Sequence, residues 1–257
     1  MTVESLQKEF TMKYYESHEQ AYKKLKENNF SFWGESKDSS ETFENFYMKE
    51  YLERVLALIK PVAKTKVLEI GCGTGPASCL LAKRGYDVDG FDVSETAIEI
   101  ARVNAKNRNL NINYSVNDIC TISEINSGTY DVVIDGHCMH CITYDSDRHA
   151  ALSNVFRLLK KGGYFIVDTM SKESSSDWPH PGRVDENGII WHNVKEDYPY
   201  EKVEFEGKYW ICTRRVRSIS DLRNELKQSG FMIEQIEIHE DEEIEEIVDF
   251  RAICRKP

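Results

Sequence analysis

The ten residues from Val67 to Pro76, VLEIGCGTGP, narrow the possible folds more than any other stretch of the chain. A run of strand length, Lys66 to Ile70, passes directly into glycines at 71, 73 and 75. Glycine takes backbone conformations closed to other residues and lets the main chain approach a ligand closely. The following GPASCLLAKRG puts Ala77, Leu80 and Leu81 at helical spacing and ends on Gly85. A buried strand, a glycine turn and a helix that starts there predict the first unit of a parallel sheet, with a nucleotide-like ligand at the turn.

The unit recurs. Tyr86 to Asp92 reads as a second strand, and Ser94 caps a helix whose apolar face is Ala97, Ile98, Ala101 and Ala105. Ile112 to Asp118 and Tyr130 to Gly136 read as strands, and a helix from about Asp147 to Gly162-Gly163 precedes the strand Tyr164 to Met170. Strands alternating with helices imply a parallel sheet covered on both faces. Near the end, a capped helix around Ser218 to Gly230 leads to FMIEQIEIH and IVDFRAICRK, which the acidic tip EDEEIEE joins, so these two strands pair antiparallel.

The expected fold is α/β: a doubly wound, seven-stranded, mostly parallel sheet with an antiparallel C-terminal hairpin, an N-terminal helical lid and a β-rich insert after the fifth strand. Residues 1–60 form the cap, packed against the sheet's open edge; 61–170 form the cofactor-binding core; 171–217 form an inserted roof; 218–257 complete the core. In the insert, Trp178, Trp191, Tyr198, Tyr200, Tyr209 and Trp210 either roof a pocket or make a satellite core. Tyr14, Tyr15, Phe32 and Trp33 stand in the same position for the lid.

Of 257 residues, 33 are Lys or Arg and 44 are Asp or Glu, a net charge of -11. Such a surface repels a polyphosphate, so nucleic acid is disfavoured as a partner. The N-terminus has no apolar signal region and no apolar stretch approaches the roughly 20 residues that span a bilayer. No membrane partner and a cytoplasmic location are expected. Seven scattered cysteines read as reduced thiols.

What the glycine turn lacks selects among nucleotides. A dinucleotide fingerprint needs glycine where this chain has Pro76, five after Gly71, and there is no Gly-Lys-Ser/Thr of a P-loop. Asp92, 21 residues after Gly71, stands at the spacing at which a carboxylate accepts ribose hydroxyls. Asp118 ends the third strand, within reach of an exocyclic amine. Glu69, Asp92, Asp118 and Asp135 crowd one end of the sheet, a field suited to a cationic nucleoside and hostile to a diphosphate.

At these residues the chain resembles the class I S-adenosylmethionine-dependent methyltransferases, whose pattern of acidic residue, apolar residue and G-x-G-x-G matches EIGCGTG, Glu69 to Gly75. The resemblance covers about residues 50 to 170 and implies S-adenosyl-L-methionine as cofactor. By position it implies Gly71, Gly73 and Gly75 under the methionine part, Asp92 on the ribose, and Asp118 with the Ile119 backbone on adenine. Glu69 and Asp135 complete the expected cofactor set.

The fourth strand ends in DGHCMHCI, which packs His137, Cys138, His140 and Cys141 into five positions beside the cofactor's reactive end. Many small-molecule members of the family have an apolar-His-His-apolar segment here, and His140 and Cys141 take the two central places. A histidine has the pKa to orient or deprotonate an acceptor, so His140 and His137 are the catalytic candidates, His140 closest to the acceptor. The alternatives are that all four side chains merely shape the pocket, or that Cys138 and Cys141 with a histidine bind a soft metal. A second ligand pair is missing, so no metal is expected.

The chain is thus expected to be an enzyme that transfers a methyl group to a small-molecule acceptor by in-line displacement. The alternatives are a non-catalytic cofactor- or metal-binding module on the same fold, and an NAD-dependent oxidoreductase, which Pro76 opposes. Acceptor identity and oligomeric state are not written in the sequence.

Overall fold

A computed structural model describes residues 14–36, 41–172, 182–240 and 247–257. Strands β1 (Lys66–Ile70), β2 (Asp87–Asp92), β3 (Asn113–Val116), β4 (Tyr130–Gly136) and β5 (Leu159–Ser171) lie parallel in the order β5-β4-β1-β2-β3. Four short strands follow, β6 (Arg183–Val184), β7 (Ile189–Val194), β8 (Val203–Phe205) and β9 (Lys208–Arg215), in a separate antiparallel sheet ordered β6-β7-β9-β8. Strands β10 (Met232–Glu240) and β11 (Val248–Arg255) return to the first sheet, β11 pairing antiparallel with both β5 and β10. The main sheet therefore has seven strands with one reversed, as the sequence pattern predicts.

Among the described residues six helices cover it: α1 (Glu16–Glu27), α2 (Lys49–Ile59), α3 (Pro76–Lys83), α4 (Glu95–Asn107), α5 (Asp145–Leu158) and α6 (Ile219–Gln228). Successive residues of a strand point to opposite faces, and the two cores divide accordingly. Leu68, Ile70, Val133, Phe165 and Val167 pack with Leu152 and Val155 of α5 and Leu222 of α6. Val67, Val132, Ile134 and Ile166 pack on the other face with Leu52 and Val55 of α2 and Leu81 of α3. Val67, Leu68 and Ile70 have 0% exposure, and each such burial contributes about 1.5–3 kcal/mol. Burial on both faces is why β1 lacks a polar alternation.

Caps fix the helix starts. Ser94 Oγ accepts from Ala97 N at 3.0 Å and Ser218 Oγ from Asp221 N at 3.1 Å. Pro76 occupies the first turn of α3, where its missing N–H costs nothing. Helix α5 ends at Leu158, short of the expected Gly162-Gly163, because Leu159 turns extended, is fully buried and pairs with Tyr130. The N-terminal segment is not confined to a sheet edge: α2 covers one face, whereas α1 lies against α4, with Lys26 Nζ 2.6 Å from Glu99. Trp178 and residues 241–246 of the acidic tip fall outside the described residues. Among the described residues no helix is long and apolar enough to cross a membrane.

Candidate active site

The chain leaves β1 to one side through α3, β2, α4 and β3, then crosses to β4 on the other side of β1. Ligands of open α/β sheets bind where the order reverses, outside the carboxyl ends of the strands. A cavity open to solvent lies there, a concave site of the kind small molecules use. Gly71, Asp92, Asp118, Ile119 and His137 border it, drawn from the ends of β1, β2, β3 and β4.

Asp92 ends β2 at 7% exposure. Its Oδ2 accepts from Gly73 N at 2.9 Å and its Oδ1 from Ser94 N at 2.8 Å. The first bond ties the glycine turn to β2. Burial raises the Asp92 carboxyl above the usual carboxylate range, and those two amides oppose the rise. A carboxylate offers about four acceptor sites, so two remain for a ligand's hydroxyls. Asp118 Oδ1 accepts from Cys120 N at 2.8 Å, which shapes the turn after β3, and Asn154 Nδ2 holds the Ile119 carbonyl at 2.9 Å.

Gly71 and Gly73 have φ of +60° and +52°, the left-handed region that favours glycine. A Cβ on Gly73 would stand 2.7 Å from Tyr22 Oη, and one on Gly71 would stand 2.5 Å from Cys138 Cβ. Part of the space that glycine leaves is thus filled by the chain itself. Gly75 caps α3 from the left-handed region.

Two of the four carboxylates at this end are set back from the cavity's walls. Glu69, 5% exposed, accepts a hydrogen bond from Ser78 Oγ on α3, and burial pushes its pKa up to about 7. Asp135 is fully buried, with Oδ1 accepting from Cys138 N at 2.7 Å and Met139 N at 3.0 Å. It thereby caps the short 3-10 turn Met139–Cys141, and burial pushes its pKa up to about 7.

The two histidines are placed in the opposite order to the one expected. His140, 3% exposed, does not border the cavity. Its Nδ1 accepts from Met170 N at 3.3 Å and lies 3.2 Å from Thr169 Oγ1. An acceptor Nδ1 puts the ring proton on Nε2, and burial lowers the pKa far enough to keep the ring neutral. His137 does border the cavity, in edge-to-face contact with the His140 ring at 5.2 Å. Burial alone would lower its pKa, yet the Asp168, Asp249 and Asp135 carboxylates hold it up at about 9. Burial raises the Cys138 and Cys141 thiols, so they stay protonated. Neither thiol joins a group of three metal-ligating side chains among the described residues.

Sequence reasoning missed the two side chains that α1 brings to the cavity. Tyr14 and Tyr15 border it as a cover, and His18 and Tyr22 join them from α1. The spacing 14, 18, 22 is one helical face and was the available signal. His18 Nε2 is buried with no hydrogen-bond partner, and burial lowers its pKa to about 4, with Arg214 of β9 adding to the shift. Trp191, Tyr198, Tyr200, Tyr209 and Trp210 do not border the cavity. Trp191 and Tyr198 pack against the larger core instead.

Comparison with known proteins agrees with this geometry. Residues 67–163 match the model of a family described as "Methyltransferase domain". A ubiquinone biosynthesis O-methyltransferase of Coxiella burnetii is 34% identical over 106 residues, 41% of this chain and 44% of the relative. The chain thus matches under half the length of that curated relative. An S-adenosylmethionine-dependent methyltransferase of Clostridium acetobutylicum superposes with a TM-score of 0.60 at 17% identity, covering 93% of this chain and 98% of the other. A 1,6-didemethyltoxoflavin-N1-methyltransferase of Burkholderia thailandensis, solved with 1,6-didemethyltoxoflavin and S-adenosylhomocysteine, gives 0.57 at 15% identity, covering 81% and 77%. Residues 67–163 thus match a methyltransferase domain model, and the chain shares the α/β fold of these solved methyltransferases.

Proposed function

We propose that this chain is an S-adenosylmethionine-dependent methyltransferase that acts on a small-molecule acceptor. One observation carries the proposal: Asp92, buried and braced by two backbone amides, shares a single cavity with Asp118 and the glycine turn. In this assignment Asp92 takes the ribose hydroxyls, Asp118 and the Ile119 backbone take adenine, and the turn from Gly71 to Gly75 lies under the methionine part. Glu69 and Asp135 serve the same site from behind, by holding α3 and the Met139–Cys141 turn in place. His18, whose buried Nε2 is unpartnered, and Tyr22 close over that end from α1.

When bound, the cofactor supplies a methyl group on a positive sulfur, an electrophile that needs little acid-base chemistry. The chain contributes position and the exclusion of water. His137, on the cavity wall, orients the acceptor, and neutral His140 supports it from behind. The named activities of the relatives, ubiquinone biosynthesis and 1,6-didemethyltoxoflavin methylation, support a small acceptor. The net charge of -11 supports one that is not nucleic acid. The sequence pattern supports a cytoplasmic site of action.

Calorimetric titration with S-adenosylhomocysteine tests the assignment. Wild type should bind one equivalent, and Asp92→Ala should raise the Kd roughly 10- to 100-fold through lost charge-assisted hydrogen bonds. Unchanged affinity in that variant refutes the ribose assignment, and no binding by wild type refutes the function. Release of S-adenosylhomocysteine across a panel of hydroxyl, amine and thiol acceptors then separates an enzyme from a binding module.

A further inference from the structure

His137 has a second set of neighbours. Its Nε2 lies 3.7 Å from Asp168 Oδ1 on β5 and 3.7 Å from Asp249 Oδ1 on β11. The three donor atoms all lie within 4.8 Å of one another. The two carboxylates are buried, with side-chain exposures of 0% and 3%.

Neither His137 Nε2 nor Asp168 Oδ1 has a hydrogen-bond partner. A buried polar group left that way costs about 1–3 kcal/mol. The second oxygen of each carboxylate is already engaged. Asp168 Oδ2 accepts from Arg251 Nε at 3.2 Å; Asp249 Oδ2 accepts from Tyr47 Oη at 2.6 Å and Arg251 Nη2 at 3.4 Å. These bonds fix both carboxylates with Oδ1 toward the imidazole, the service that outer partners give metal ligands. Arg251 offsets one of the two buried negative charges, and the other faces His137, whose ring proton an incoming cation would displace.

His137 also sits at φ +68°, a left-handed conformation uncommon for a residue with a Cβ. Its amide is held by the Asp168 carbonyl at 2.9 Å. The strand register brings the carboxylates together: Asp168 stands opposite Arg251, and Asp249 opposite Met170.

We propose that His137, Asp168 and Asp249 form a binding site for one divalent transition-metal cation of the Zn²⁺ or Mn²⁺ kind, at the edge of the cavity. One imidazole nitrogen with two carboxylate oxygens suits such ions, whereas Mg²⁺ and Ca²⁺ take oxygen shells. Bonds of about 2.1 Å to a tetrahedral ion set ligand atoms roughly 3.4 Å apart, so the two 3.7 Å separations from the imidazole need a small closure, and the carboxylate oxygens start within 4.8 Å of each other. A hydrogen-bonded imidazolium–carboxylate pair would sit nearer, at about 2.7–2.9 Å. The site does not depend on the methyl-transfer assignment, although an ion there would adjoin the acceptor's space through His137.

The test is calorimetric titration of the metal-stripped, full-length protein with ZnCl₂, MnCl₂ and MgCl₂. One equivalent of Zn²⁺ or Mn²⁺ should bind, with Mg²⁺ weaker by roughly 100-fold or more. Asp249→Asn and Asp168→Asn should each weaken binding roughly 10-fold or more, and a Cys138→Ser/Cys141→Ser double variant should bind as wild type does. Circular dichroism and the thermal midpoint of the same preparations report whether each variant keeps its fold, and S-adenosylhomocysteine titration reads the cofactor site separately. No ion bound by wild type, undiminished binding by a folded Asp249→Asn, or loss of binding in the cysteine variant overturns the site. Ion binding without S-adenosylhomocysteine binding sinks the methyltransferase assignment and leaves the site standing.

Discussion

Glu69 shows how one buried side chain makes stability depend on pH. Burial moves its pKa from an ordinary 4.5 to about 7. Between those values the folded protein keeps a proton that the unfolded chain gives up. Stability therefore falls as pH rises from about 4.5 to 7, by roughly 3 kcal/mol from this group. Glu69→Gln should flatten that part of the profile, as read by urea unfolding at pH 5 and pH 8. The placement of Asp92 and Asp118 at the cavity was legible in the sequence because a strand end fixes where its next carboxylate stands. The exchange of His137 and His140 was not, since it turns on the left-handed backbone at His137, which its residue type does not announce. Asp168 and Asp249 were hidden because they lie 81 positions apart and meet only through the pairing of β5 with β11.

Among the elements, α1 is held to α4 by a carboxylate clip. Glu19 Oε2 accepts from Ser94 Oγ at 2.6 Å, and Glu19 Oε1 accepts from Thr96 Oγ1 at 2.6 Å, so the helix is clipped to the start of α4. Removing the carboxylate should cost α1 about 1–2 kcal/mol of docking while sparing the core. In stopped-flow measurements Glu19→Ala is expected to release S-adenosylhomocysteine roughly 5- to 20-fold faster, with little change in Tm. The helix's existence and its cavity-facing spacing are written in positions 14, 18 and 22. Its docking surface is not, because amphipathic spacing names a face and not the surface that receives it. The extended turn at Leu159 illustrates the same limit, for pairing with Tyr130 overrides a helical pattern that ran on to Gly162.

Across the whole molecule, a buried arginine joins parts that are distant in sequence. Arg148, 2% exposed on α5, donates to both Glu225 oxygens on α6, at 3.0 and 2.7 Å, and to the carbonyls of Met139 and Ile142 beside the cavity. Arg215 and Arg217 meet Asp145 at 2.7 and 3.1 Å and so bind the insert's end to the start of α5. Arg148→Met would leave Glu225 with Arg217 alone and should cost about 3–5 kcal/mol in chemical denaturation, with weaker cofactor binding as the Met139–Cys141 turn loses its support. The parallel core and the reversed strand were legible from alternating periods, and the insert from its length and aromatic content, whereas this polar lattice was not, because pairing of charges over long separations leaves no local pattern.

The Tyr22 hydroxyl, 2.7 Å from where a Gly73 side chain would begin, makes the chain its own stopper at the glycine turn. Anything settling there must first wait for that ring to swing out. Capture should therefore run at a pace that levels off however much ligand is offered, with the ceiling set by how often α1 breathes.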